Sequence, residues 1–263
     1  MSQVSLETLD DVYDLVVLAP HLDDAALSCG GLITQRRQRD QRVLVLTICT
    51  AAPAPAGPFN AVAQEFHAQW NLSAEQVVAA RLAEERAAMA MLDVDYCWAG
   101  RLDAIYRQPD AYVSRDTLFA LPVHHDPLAA DLHNLFAGLY TRLPRARFVA
   151  PLAIGSHVDH HLTYGAAYAT LADCVQFYED TPYVYKTGAL ELRLAELAAE
   201  TLGCQTSTFD AAATARKIAG IAAYASQMHE LFGGVAAMEA QVRAAALALG
   251  NGQSGERLWS ITR

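Results

Sequence analysis

Two short, wholly apolar runs flanking one helix-length segment constrain this chain most. Asp14–Pro20 (DLVVLAP) and Arg42–Cys49 (RVLVLTIC) lack the polar alternation of a half-exposed strand. Each therefore has to be covered on both faces, as strands of a parallel sheet are. Between them, Asp24 to about Gln38 carries its apolar residues early and RRQRD late, and basic residues suit the C-terminal end of a helix. Strand, helix and strand in about 35 residues make a βαβ unit, whose crossover is right-handed.

The remaining text extends that pattern. Ser73 with Gln76 three residues on is a capping box, and it opens a helix running to about Leu92. A third strand is expected at Val94–Trp98, a helix at Pro127–Arg142, a strand at Arg147–Pro151 and a short strand at Gln176–Tyr178. Helices are expected at Glu191–Leu202, Ala211–Ser226 and Val235–Leu249. No internal repeat or linker divides the chain, so the expectation is one domain over 1–263. Its fold class is α/β, a Rossmann-like, mostly parallel twisted sheet with helices on both faces. The segment Ala51–Asn60 (AAPAPAGPFN) is a loop by composition. It leaves the carboxyl end of the second strand, where open α/β sheets bind ligands, and is expected to border the substrate cleft.

Charge narrows the partners. The net charge is −10, from 29 acidic and 19 basic side chains, which argues against nucleic acid and against an anionic membrane surface. No stretch approaches the roughly 20 apolar residues that span a bilayer, and the acidic start MSQVSLETLDDVYDL does not read as a secretory leader. Five cysteines, none in a CxxC pair, read as reduced thiols. The expected location is cytoplasmic, and the sequence is compatible with a homo-oligomer.

Two clusters carry the chemistry. The first strand ends in Pro20-His21-Leu22-Asp23-Asp24, and the strand at 147–151 is followed by Ser156-His157-Val158-Asp159-His160-His161. The first cluster alone reads equally as a loop histidine with a helix-capping aspartate. Both at the carboxyl ends of strands in one sheet provide imidazoles and carboxylates in the number a catalytic zinc site needs: three protein ligands and one position left for water.

These residues resemble the LmbE-like/PIG-L de-N-acetylase family. PHLDDA at 20–25 is similar to its AHPDDE-type motif, and HVDHH at 157–161 to its HxDH motif. Arg81-Leu82-Ala83-Glu84, Tyr178-Glu179-Asp180 and Lys217 with Tyr224-Ala225-Ser226-Gln227 resemble supporting segments, so the likeness covers about residues 14–230. It implies a Zn²⁺ cofactor held by His21, Asp24 and His160. It further implies Asp23 as general base, His157 as general acid or oxyanion stabiliser, and Asp159 as the group that orients and charges His157. The implied substrate is a small N-acyl amino sugar or conjugate, from which an acyl (acetyl) group is removed. Leu22 and Ala25 depart from the family motif at positions that bind no metal.

Other residues divide between readings. Asp103, after the third strand, reads either as a turn aspartate or as a grip for sugar hydroxyls, and the resemblance favours the grip. Arg81 either reaches substrate or pairs with a nearby acid. His161 and the doublet His124-His125 read as non-functional. Gly30-Gly31 is no dinucleotide fingerprint, because GxGxxG is absent, which counts against a Rossmann oxidoreductase. The competing functions are an amidase acting on a thiol-sugar conjugate or a non-sugar N-acyl compound, and a catalytically silent relative.

Overall fold

The computed structural model describes residues 1–70, 73–198 and 200–262. Its seven strands are β1 (Leu15–Ala19), β2 (Val43–Cys49), β3 (Asp95–Arg101), β4 (Arg147–Pro151), β5 (Val175–Tyr178), β6 (Thr201–Phe209) and β7 (Ser254–Thr262). They form one sheet in the order β3-β2-β1-β4-β5-β7-β6. β1 to β5 run parallel, whereas β7 is antiparallel to both β5 and β6. The helices are α1 (Asp24–Gln38), α2 (Ala61–Trp70), α3 (Ala74–Leu92), α4 (Ala104–Arg107), α5 (Arg115–Leu118) and α6 (Pro127–Arg142). They continue with α7 (Val158–Thr170), α8 (Ala189–Glu196), α9 (Ala211–Ala222), α10 (Ala225–Phe232) and α11 (Val235–Leu249).

The apolar runs do what their composition requires. In β1, Val16 and Leu18 face a layer containing Leu132, Phe136 and Leu139 of α6 and Ala166 of α7. Leu15, Val17 and Ala19 face the opposite layer, with Leu32 and Ile33 of α1, Met89 of α3 and Ile221 of α9. The period-two pleat thus sends alternate residues into two cores. A third, smaller cluster joins Val62 and Ala63 of α2 to Ile105 of α4 and Leu118 of α5.

Gly31 allows one close approach. A Cβ there would stand 2.1 Å from the Phe209 ring. The glycine pair is thus a packing device and not a phosphate cradle.

Two expectations need correction. Glu191–Leu202 is not one helix: α8 ends at Glu196 and the chain re-enters the sheet as β6 at Thr201. The helix expected over Ala211–Ser226 breaks into α9 and α10 around Ala223 and Tyr224. The Pro-rich segment 51–60 is a loop, as its composition implies, and it leads into α2, a helix the sequence pattern did not reveal. Among the described residues, no helix is long and apolar enough to cross a membrane.

Candidate active site

The strand order places β1 beside β4, and the helices that follow them, α1 and α7, pack on opposite faces of the sheet. Chains diverging from neighbouring strands open a crevice at the carboxyl edge. His21, Asp23 and Asp24 enter it after β1, and His157 and His160 after β4. A cleft of about 420 Å³ forms there, lined among others by His21, Asp23, Asp24, Arg81, Asp103 and His157.

The backbone delivering these groups is unusual. Asp23 has φ 121°, and Ala153, Gly155 and Ser156 in the turn before His157 have φ 65°, 88° and 62°. Non-glycine residues seldom occupy this region, and such conformations gather at functional sites. At Gly155 a Cβ would also stand 2.6 Å from Tyr183 Cγ, so glycine is required there twice over.

Asp24 is the hub. Its Oδ2 accepts the His21 backbone N–H at 2.7 Å and stands 3.6 Å from His21 Nδ1 and 3.5 Å from His160 Nε2. Burial opposes its charge, but His160 and His21 outweigh burial and hold the carboxyl down at about 2. The same field acts on the imidazoles. Burial alone lowers His21, yet hydrogen bonds to Asp159 and Asp24 hold it well above the usual histidine range. His160 is likewise raised against burial by Asp24 and Asp180. The pocket therefore favours positive charge between these side chains.

Each imidazole has a second carboxylate behind it. His160 Nδ1 meets Asp180 Oδ1 at 2.6 Å, while Asp180 Oδ2 accepts the Ile154 N–H at 2.9 Å. His21 Nε2 meets Asp159 Oδ2 at 3.1 Å. A carboxylate on the far nitrogen fixes tautomer and ring orientation, leaving the near nitrogen to bind metal. Among the described residues, donor atoms of His21, His157 and His160 lie within 4.8 Å of one another, as do those of His21, Cys49 and Asp159. These are groups able to hold a metal ion. The second is the poorer, because burial and then the charge of Asp159 push the Cys49 thiol well up, and the thiolate is the metal-binding form.

The expectation that Asp159 charges His157 is not what the geometry shows. The Asp159 carboxylate turns to His21 and to Arg107 Nη2 at 2.6 Å. Only the Asp159 backbone N–H reaches the His157 ring, donating to Nδ1 at 3.2 Å, because His157 caps α7. Burial and then the positive charge of His21 push His157 well below the usual range. It is a neutral imidazole.

Asp23 lies beside the hub. Burial pushes it up to about 7, Arg81 opposes this, and Asp24 adds to it. Arg81 Nη2 reaches Asp23 Oδ2 at 3.1 Å and also the Leu22 carbonyl, so the arginine lines the cleft while tied to its neighbour. Asp103 caps α4 through Oδ1, which accepts the Ile105 N–H at 3.1 Å. Its Oδ2 stands 3.5 Å from His21 Nε2.

Several expected or plausible neighbours lie elsewhere. No residue of 51–60 lines the cleft; Phe66 of α2 takes that place, and Phe59 packs edge-on to His67. His161 is buried outside the cleft lining, pushed down to about 4 by burial and then Arg193. His124 and His125 are exposed and contact each other. Conversely, Asp180, Arg107 and Phe119 join the site, although the sequence pattern gives none of them a role of its own. Asp180 did carry a signal: a carboxylate placed just after a strand, at the same sheet edge. Phe119 packs edge-on to His157 at 5.2 Å between centroids, and an isolated aromatic gives no such signal.

Comparison with known proteins agrees with this geometry. The GlcNAc-PI de-N-acetylase (PIG-L) family matches residues 16–171. The 2'-N-acetylparomamine deacetylase of Streptomyces fradiae is 26% identical over 217 residues, 81% of this chain and 72% of that protein. The zinc-inhibited form of teicoplanin deacetylase aligns with a TM-score of 0.77 and 28% identity, covering 95% of this chain and 98% of its own. A deacetylase–teicoplanin complex aligns at 0.75 with 28% identity over the same shares. Matched over more than half its length, with both His/Asp clusters inside the match, the chain belongs to the PIG-L family of de-N-acetylases.

Proposed function

We propose that this protein hydrolyses the N-acetyl amide of a small amino-sugar compound, using a zinc ion held by His21, Asp24 and His160, with residues 1–263 acting as one domain. The observation that carries this reading is the position of Asp24 Oδ2, 3.6 Å from His21 Nδ1 and 3.5 Å from His160 Nε2. Ligand atoms about 2.0–2.1 Å from a tetrahedral zinc lie about 3.3–3.4 Å apart. Two nitrogens and one oxygen, each imidazole backed by a carboxylate, also form a donor set suited to that ion.

A zinc ion held there would supply Lewis acidity to the acyl oxygen and would draw the pKa of a water toward about 7. The chain supplies the proton transfers. Asp23 takes a proton from the attacking water as its oxygen bonds to the carbonyl carbon. His157 has Nδ1 engaged by the Asp159 N–H, so its neutral ring carries the proton on Nε2 and donates to the oxygen that gains negative charge. Asp23 then returns its proton to the sugar nitrogen as the C–N bond breaks, leaving acetic acid and the amine, and the acid's remaining proton passes to the amine to give acetate and an ammonium. Burial raises the Asp23 carboxyl before any cation is bound, which makes it a stronger proton acceptor than an ordinary carboxylate. Arg81 holds Asp23 in place, and Asp103 accepts hydrogen bonds from sugar hydroxyls.

The test is acetate release from N-acetylglucosamine conjugates against simple N-acetyl amino acids, with and without a chelator. Sugar conjugates are expected to be preferred, and the chelator to stop the reaction until Zn²⁺ is restored. Asp103→Ala is expected to raise KM for the sugars about 10- to 100-fold, the size of one charged hydrogen bond. Preference for the amino acids, with no effect of Asp103→Ala, refutes the sugar assignment.

A further inference from the structure

Arg107 joins two fully buried carboxylates. Its Nε and Nη2 donate to Asp126 Oδ1 and Oδ2 at 2.7 and 2.8 Å, and Nη2 also donates to Asp159 Oδ1 at 2.6 Å. Its Nη1 donates to the Leu102 carbonyl at 2.7 Å. The Tyr112 hydroxyl fixes Asp126 from the far side at 2.7 Å. Asp159 Oδ2 accepts the Ala104 N–H at 3.1 Å and meets His21 Nε2 at 3.1 Å. Side-chain exposure along this line is 7% for Arg107 and 0% for both aspartates.

The line Tyr112–Asp126–Arg107–Asp159–His21 begins in the segment 102–126, which also carries the cleft-lining Asp103, Ile105 and Phe119. It ends on an imidazole that the proposed function makes a metal ligand. We propose that Arg107 is a positioning residue: through Asp159 it sets the orientation of the His21 ring, and so it couples the substrate-facing wall of the cleft to metal affinity. This inference rests on the metal-ligand reading of His21.

The physical reason is the shortage of positive charge around the two aspartates. One guanidinium serves both, and its planar fork spans two carboxylates in a fixed geometry, which a lysine ammonium does not. Without the fork, Asp159 loses a partner in a site where buried charge is costly to leave unpaired. Its carboxylate then ceases to define the far side of His21. Removing a carboxylate's hold on a ligating histidine typically weakens metal binding about 10- to 100-fold.

The experiment measures zinc affinity of the metal-free full-length protein by chelator competition, beside its melting temperature. Arg107→Lys is expected to weaken zinc binding about 10- to 100-fold. Tyr112→Phe, which removes one hydroxyl at the far end of the line, is expected to weaken it a few-fold and decides the matter alone if Arg107→Lys does not fold. Val242→Ala, a core truncation in α11 outside this network, is the control: it lowers the melting temperature and leaves affinity unchanged. Zinc affinities within twofold of wild type for both network variants overturn the inference, as does an equal loss in Val242→Ala. A wild type that binds no zinc, or a His21→Ala variant that binds it normally, overturns the metal reading itself and this inference with it.

Discussion

At the floor of the cleft, Asp23, Asp24, His157, Asp159 and His160 are each at most 7% exposed. His21 and His160, the imidazoles proposed as metal ligands, each have a carboxylate on both sides. At the mouth the chain is held differently. Arg115 of α5 reaches Glu65 of α2 and Glu230 of α10 at 2.9 and 3.2 Å, and all three side chains are more than 40% exposed. Buried networks over-determine geometry, whereas exposed ion pairs contribute about 0.2–1 kcal/mol. On the proposed reading the floor fixes the reaction, and the mouth is free to change which substrate enters.

The strongest attack on that division is at the hub. Asp24→Ala is expected to abolish both bound metal and turnover, because it removes a ligand. Asp23→Asn is expected to keep the metal and lower kcat about 10²- to 10⁴-fold, the usual worth of a general base. Metal analysis and rate on both variants check this; equal metal loss in the two would mean that the adjacent aspartates share one role. A subtler probe is the acid limb of the pH–rate profile. If Asp23 is the base it acts as carboxylate, so the rate is expected to rise with pH through its titration, which a bound cation shifts below 7. Arg81 lowers that pKa, so Arg81→Gln is expected to move the limb to higher pH. A changed KM with an unmoved limb would instead make Arg81 a substrate contact. The smallest effect belongs to the mouth: Arg115→Ala is expected to alter KM roughly two- to fivefold, as loss of exposed ion pairs implies, with kcat and metal content unchanged. A large fall in kcat would show that the mouth takes part in the chemistry.

The same contrast governs how much could be read from sequence. β1, β2 and β4 are legible because burial on both faces leaves an unbroken apolar run. The bounds of α6 are legible because Asp126 caps it and Pro127 opens it. β6 is opaque because it is the outermost strand: TLGCQTSTF has the composition of an exposed surface. The preceding Ala-rich text continues a helical pattern beyond the point where α8 stops. In the site, the two His/Asp clusters are legible because each is local. The pairing of Asp159 with His21, across 138 residues, is not, since the local spacing of His157 and Asp159 suggests the opposite partner. The roles of Arg107 and Asp180 depend on the same kind of distant contact.

The left-handed backbone of Asp23 bears on protein engineering. Glycine adopts that conformation without the penalty of about 1–3 kcal/mol that a side chain incurs. Asp23→Gly therefore relieves backbone strain while unpairing Arg81 and removing the group proposed to move the proton. A screen for heat resistance in this enzyme therefore needs a turnover assay beside it, because relief of strain at this position comes with loss of the proposed base.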